Sequence, residues 1–206
     1  MELRDSIKEQ KKQKRREIKQ RISELVSPYC MEADRKILEN VLGLKEFQQA
    51  KTIFCYVSTK TEVDTIPILK EILASGKRLG VPKCTGKGIM EVYEISSLDE
   101  LAAGAYGILE PDESCEKILS PEEIEFSLIP CLSCDREGRR LGHGGGYYDR
   151  YLEQSKGVKA IVCRSRLMLD EVPTEPHDVR MDLVISEEKV WRNDLMNGAF
   201  NSILKV

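Results

Sequence analysis

Apolar positions along the chain fall into two spacings. From about residue 4 to residue 26 they recur at helical intervals: Ile7, Ile18, Ile22 and Leu25 share one arc at roughly 100° per residue. Residues 31–43 read as a second helix, ended by Gly43. Short continuous apolar runs follow instead: Thr52–Val57 (TIFCYV), RLGVPKC, FSLIPCL, KAIVCRS and DLVIS, with IMEVYEI alternating. Between them, Thr65 is an expected N-cap for a helix IPILKEIL, with Pro67 in its first turn and Gly76 past its end. Ser97 caps a short LDEL helix, and AYGILEPD reads as loop. Ser120-Pro121-Glu122-Glu123 is a capping box with little helix after it. About ten residues of loop separate FSLIPCL from a glycine run, which feeds a helix YYDRYLEQS. The last twenty residues carry little signal.

Strands that alternate with helices predict an α/β fold: a single three-layer α/β/α domain over residues 1–206, with a mostly parallel, Rossmann-like sheet. Continuous apolar runs such as FSLIPCL suit a sheet buried on both faces. Ligands in such folds sit beyond the carboxyl ends of the strands. The loops after Val57, Val81 and Leu132 should therefore converge on one crevice.

Composition narrows the function. The net charge of −3 argues against a general nucleic-acid binder. No apolar run is long enough to cross a membrane, and the N-terminus is charged and contains acids, unlike a signal or transit peptide. A cytoplasmic protein is expected. The seven cysteines then read as free thiols packed as small hydrophobes. Cys131 and Cys134 form a lone C-x-x-C with no second pair to complete a zinc site, so structural thiols are expected there too.

The chemistry concentrates in 139-RRLGHGGGYYDRYL-152. Glycines let backbone N–H groups approach an anion, and a helix start adds its dipole. Arg139, Arg140 and Arg150 flank the run and suit phosphate. The segment is neither a Walker loop nor the dinucleotide fingerprint. Asp149 is either a dipole partner or a magnesium ligand. In the first helix, Lys11 and Arg15 fall within the apolar arc, with Lys14 close to it. A cation on a buried stripe is costly unless it meets an anion, and without other information its stem is expected to snorkel to water.

These segments together resemble the 5-formyltetrahydrofolate cyclo-ligase family. DREGRRLGHGGGYYDRYL resembles its signature. The Lys11–Arg15 spacing, YVSTKTEVDT, VPKC, YGILEP and VPTEPHDVRMDLVIS resemble further segments in the family's order, over roughly residues 4–190. The resemblance implies ATP- and Mg²⁺-dependent closure of 5-formyltetrahydrofolate to 5,10-methenyltetrahydrofolate through phosphorylation of the formyl oxygen. It implies an ATP site of Lys11, Arg15, Arg140, Leu141, Gly142, His143, Gly144, Gly145, Gly146, Tyr147 and Asp149, with Asp149 also holding the metal. Thr59, Glu62, Lys83, Tyr106 and Tyr148 are the implied folate residues, and Tyr148 and Arg140 the catalytic ones. The partner is then a small-molecule folate, with polyglutamylated forms left open; a monomer without nucleic-acid or membrane partners is expected. The chain departs from the family pattern at His143, at Gly145, where some members place a lysine that Lys83 could replace, and at CLSCD. His177 is expected to brace its loop. A sugar-phosphate enzyme of similar fold would explain the glycine loop but not the Lys11–Arg15 helix.

Overall fold

The computed structural model describes residues 2–104 and 107–193, with side chains from residue 6 onward. In chain order the elements are α1 (Glu2–Glu24), α2 (Ser27–Leu42), α3 (Lys45–Gln49), β1 (Thr52–Cys55), α4 (Ile66–Ala74), β2 (Arg78–Gly86), β3 (Ile89–Ile95), β4 (Leu101–Ala103), β5 (Leu109–Pro111), β6 (Ile118–Leu119), β7 (Phe126–Ile129), β8 (Ser133–Cys134), β9 (Arg140–Leu141), α5 (Tyr147–Leu152), β10 (Val158–Val162), β11 (Leu183–Ile185) and β12 (Val190–Arg192). The main sheet has the order β12-β11-β10-β7-β1-β2-β3-β6. Its five central strands, β2 to β11, pair in parallel, and antiparallel strands close both edges. The mixed α/β fold with a large, mostly parallel sheet is therefore the one expected.

Every residue of β1 and β7 is buried, as their uninterrupted apolar runs require of strands covered on both faces. On one face Ile37 and Val41 of α2, Phe47 of α3 and Ile68, Leu69 and Ile72 of α4 pack with Ile53, Leu79 and Phe126. On the other, Tyr151 and Leu152 of α5 and Ile22 and Leu25 near the end of α1 pack with Phe54, Ile129, Ile161 and Val184. Phe54 is fully buried and its ring stacks on Tyr148, 6.1 Å between centroids at 13°. Phe54→Ala should cost about 3–5 kcal/mol.

Several expectations shift. AYGILEPD holds a strand, β5, which pairs with β4. The segment before the glycines is a small hairpin, β8 with β9. Strand β12 lies in the stretch thought to carry little signal, and α3 was not foreseen. Thr65 stands at the N-cap of α4, but its hydroxyl donates to the Tyr56 carbonyl oxygen (2.8 Å), and Asp64 accepts from the Ile66 amide instead (3.0 Å). Ser97 caps its turn as expected, accepting from the Asp99 amide. Half of the expected box at Ser120 forms: Glu123 accepts from the Ser120 amide at 3.0 Å, and no helix follows. Among the described residues, no helix is long and apolar enough to cross a membrane.

Candidate functional site

The glycine loop leaves β9 and enters α5. Gly144 and Gly146 hold φ of +100° and +67°, a region other residues adopt only with strain, and Gly146 is the N-cap of α5. The loop is also tight. A Cβ on Gly144 would stand 3.3 Å from the Arg15 guanidinium carbon, and one on Gly145 would meet the Tyr147 ring at 2.7 Å. Helix α5 is only six residues long, so its dipole is small and the loop's positive character comes mainly from side chains.

Helix α1 supplies the first of these. Ile18 is fully buried against Leu132, Leu141, Leu169 and Val172, which docks the helix on the hairpin. Arg15 then donates from Nε to the Gly142 carbonyl oxygen (2.8 Å). Burial lowers the Arg15 pKa, opposed by the charges of Asp178 and Glu175. Lys11, one turn earlier, does not snorkel. It is 6% exposed, and its ammonium contacts Glu175 (3.1 Å) and Asp178 (2.5 Å). The buried cation thus meets anions, and they belong to the chain itself. Lys14 is half-exposed and pairs with Glu17, which separates the three cations that spacing had left together. His177 lies 3.9 Å from Glu175 and 4.0 Å from Asp178, at the same acidic pair.

Arg140 lies at the inner wall. Its Nη2 donates to Asp149 (2.7 Å), Nη1 reaches the Pro130 carbonyl oxygen (3.4 Å), and the guanidinium sits 5.6 Å over the Tyr148 ring. Its buried Nε has no partner, an unused donor beside the loop. The Tyr148 hydroxyl pKa is pushed up by burial and by Glu62, against the pull of Arg140. The other two flanking arginines are committed elsewhere. Arg139 pairs with the fully buried Asp135 (2.7 Å) and with Glu171. Arg150 donates to the Gly88 carbonyl oxygen (2.8 Å) and the Gly145 carbonyl oxygen (2.7 Å), tying the β2–β3 turn to the glycine loop.

Facing this wall is the loop after β1. Glu62 accepts from the Thr59 amide (2.8 Å) and hydroxyl (2.9 Å), and His143 Nε2 stands 3.9 Å from its other oxygen. Burial raises the Glu62 pKa, but the nearby His143 and the two Thr59 donors outweigh it, so the carboxyl titrates below its ordinary range. His143 therefore bridges toward the folate-assigned Glu62 although it lies within the glycine run.

Residues that spacing did not reveal hold this loop. Arg164, 4% exposed, pairs with Asp34 through two 2.8 Å contacts and donates to the carbonyl oxygens of Thr61 (3.0 Å) and Glu62 (2.6 Å). The only early signal was a basic residue just past an apolar strand. Asp135 plays the same part for the hairpin, accepting from the amides of Glu137, Arg139 and Val172.

Of the remaining expected residues, Leu141 is buried in β9 under α1. Tyr147 lines a groove with Gly88–Val92 and Tyr151. Lys83 lies on β2, donating to the Asp112 carbonyl oxygen (3.3 Å) and lying 5.3 Å over the Tyr93 ring, rather than at the glycine loop. Tyr106 lies outside the described residues.

Known proteins share the sequence and the fold of this chain. Residues 7–187 match the sequence profile of the 5-formyltetrahydrofolate cyclo-ligase family. A probable 5-formyltetrahydrofolate cyclo-ligase of Schizosaccharomyces pombe is 30% identical over 173 residues, 76% of this chain and 85% of its own. The 5-formyltetrahydrofolate cyclo-ligase of Mus musculus is 29% identical over 187 residues, 84% and 92%. The structure of Aquifex aeolicus 5,10-methenyltetrahydrofolate synthetase superposes with a TM-score of 0.78 at 33% identity, covering 88% of this chain and 92% of that one. The chain belongs to the 5-formyltetrahydrofolate cyclo-ligase family.

Proposed function

We propose that this chain closes 5-formyltetrahydrofolate to 5,10-methenyltetrahydrofolate, consuming ATP and releasing ADP and phosphate. Family membership supports the reading. One geometric observation carries it: Arg140 joins Asp149 and Tyr148, while His143 of the same loop faces Glu62 across the crevice. A wall that carries a guanidinium and a wall with a hydrogen-bond acceptor therefore meet.

The chemistry needs both walls. A formamide oxygen is a poor leaving group. Phosphorylated, it departs as phosphate, while the neighbouring folate amine attacks the formyl carbon. Such transfers ask a protein chiefly for positioning and charge neutralisation. In this scheme Leu141, the backbone of Gly142–Gly146 and Tyr147 bound the nucleotide side, and Lys11, Arg15 and Arg140 neutralise its phosphates. Tyr148 lines the formyl group. Glu62, with Thr59, accepts from the pterin N–H edge. Lys83 and Tyr106 contact the rest of the folate. Asp149 stands in the first turn of α5, directly after the loop. One carboxylate with phosphate oxygens and water is a normal magnesium environment, so the residues fit the ion, which when bound neutralises phosphate charge. All seven cysteines are free thiols, which supports a cytoplasmic, reducing location.

Incubation with folinic acid and MgATP tests the reading through the near-ultraviolet absorbance of the methenyl product. An ATP-dependent rise is expected. The absence of any ATP-dependent product would sink it.

A further inference from the structure

Three thiols near the site take no part in the proposed reaction. Cys131 follows β7, Cys134 lies on β8, and Cys163 follows β10. Spacing along the chain joins only the first two. The parallel pairing of β7 with β10, Ile129 opposite Ile161, brings in the third from 29 residues beyond Cys134. The three sulfurs lie within 4.8 Å of one another. Cys134 and Cys163 are 0% and 3% exposed, and Cys131 is half-buried. Cys131 and Cys163 line a cavity of ≈ 20 Å³ together with Tyr56, Glu62, His143 and Arg164. Among the described residues no other group of three metal-capable side chains comes together this way.

We propose that Cys131, Cys134 and Cys163 bind one soft d¹⁰ cation of the zinc class through three thiolates, with the fourth position open toward that cavity. Thiolates select such ions, whereas magnesium and calcium take oxygen ligands. Zinc–sulfur bonds of about 2.3 Å set tetrahedral sulfurs about 3.8 Å apart, so a trio already within 4.8 Å needs only a small contraction. The cavity has room for about one water, which fits a single outer ligand. Cys131 is the entry side, since it alone of the three is partly exposed. Each S–H bond that becomes a sulfur–metal bond gives its proton to water, so binding releases up to about three protons per ion and weakens as pH falls.

The test uses the full chain, freed of metal by a chelator and kept reduced by a phosphine. Equilibrium dialysis against zinc chloride should retain one ion per chain, and cadmium should give a thiolate charge-transfer band of three sulfurs. Cys131→Ser should weaken retention more than about tenfold, as loss of a ligand exceeds loss of an outer-shell contact. Cys30→Ser, outside the trio, should bind as the unaltered chain does. Failure to retain an ion, or unchanged affinity in Cys131→Ser, overturns the proposal. Alkylation mapped by mass spectrometry on the unaltered chain decides independently of any variant's folding. One equivalent of zinc should protect Cys131, Cys134 and Cys163 together, and protection of other cysteines instead overturns the site. None of these readouts depends on folate turnover.

Discussion

The two walls of the crevice hold their charges differently. On the glycine-loop wall, Lys11 is shared by Glu175 and Asp178, and Arg140 is held by Asp149. These two cations already have anionic partners, while Arg15 donates to the Gly142 carbonyl oxygen. On the facing wall, Glu62 has two donors from Thr59, while the loop beneath is clamped by Arg164 and Asp34. A ligand acceptor there can be used as it stands. On the proposed assignment, a phosphate arriving at the first wall must exchange or share partners, whereas a ring arriving at the second meets a formed group. The first wall should thus respond to ionic strength and ligand charge, the second to hydrogen-bond geometry.

Changes at four residues would break or sharpen this contrast. Arg140→Ala should act most strongly, because it removes the proposed phosphate donor, frees Asp149 and uncovers Tyr148. A fall of about 10²–10³-fold in kcat is expected in steady-state assays. Arg140→Lys should recover little of it, since an ammonium cannot reproduce a planar fork that reaches Asp149 and the Pro130 carbonyl oxygen at once. Asp34→Ala should leave the charge of the nearly buried Arg164 without its carboxylate and cost about 3–5 kcal/mol in urea denaturation. The KM for folate should rise alongside, as the Glu62 loop loosens.

Next in size is a crossed pair. Glu62→Gln should raise the folate KM by about tenfold and leave that for ATP nearly unchanged, from loss of a hydrogen bond to a charged group. Arg15→Ala should do the reverse. If both variants weaken the same ligand alike, the division into two walls is wrong. The smallest effect is in pH dependence. The folded-state pKa of Glu62 lies below its ordinary value of 4.5. Its contribution to stability is therefore complete above that value and lost as pH falls through the folded value. Glu62→Gln should flatten the decline of stability below about pH 4.5, measured by denaturation at stepped pH.

How much of this was legible beforehand depends on distance along the chain. The arc of α1 drew out Lys11, Arg15 and Lys14 together, because helical spacing is local, and only the family resemblance singled out the first two. Glu175 and Asp178, more than 160 residues later, could not be paired with Lys11 by any period, so snorkelling to water was the default. The runs of β1 and β7 were plain, as strands buried on both faces must be. Strands β8 and β9, two residues each, are too short to carry a period, and the hairpin they form was read as loop. Arg139 and Arg150 looked like phosphate cations because they flank glycines, yet Asp135 and two backbone carbonyl oxygens take them. His143 had no role from spacing. Its meeting with Glu62 depends on two loops that only the sheet order brings together.

Arg150 links events that the chain separates. By holding the carbonyl oxygens of Gly88 and Gly145 with one guanidinium, it makes the β2–β3 turn and the glycine loop mechanically interdependent. Opening one strains the hold on the other, so their amides should exchange with deuterium as a single cooperative unit. A nucleotide that quiets residues 142–146 should then slow exchange around residue 88 as well, at a turn the nucleotide does not need to touch.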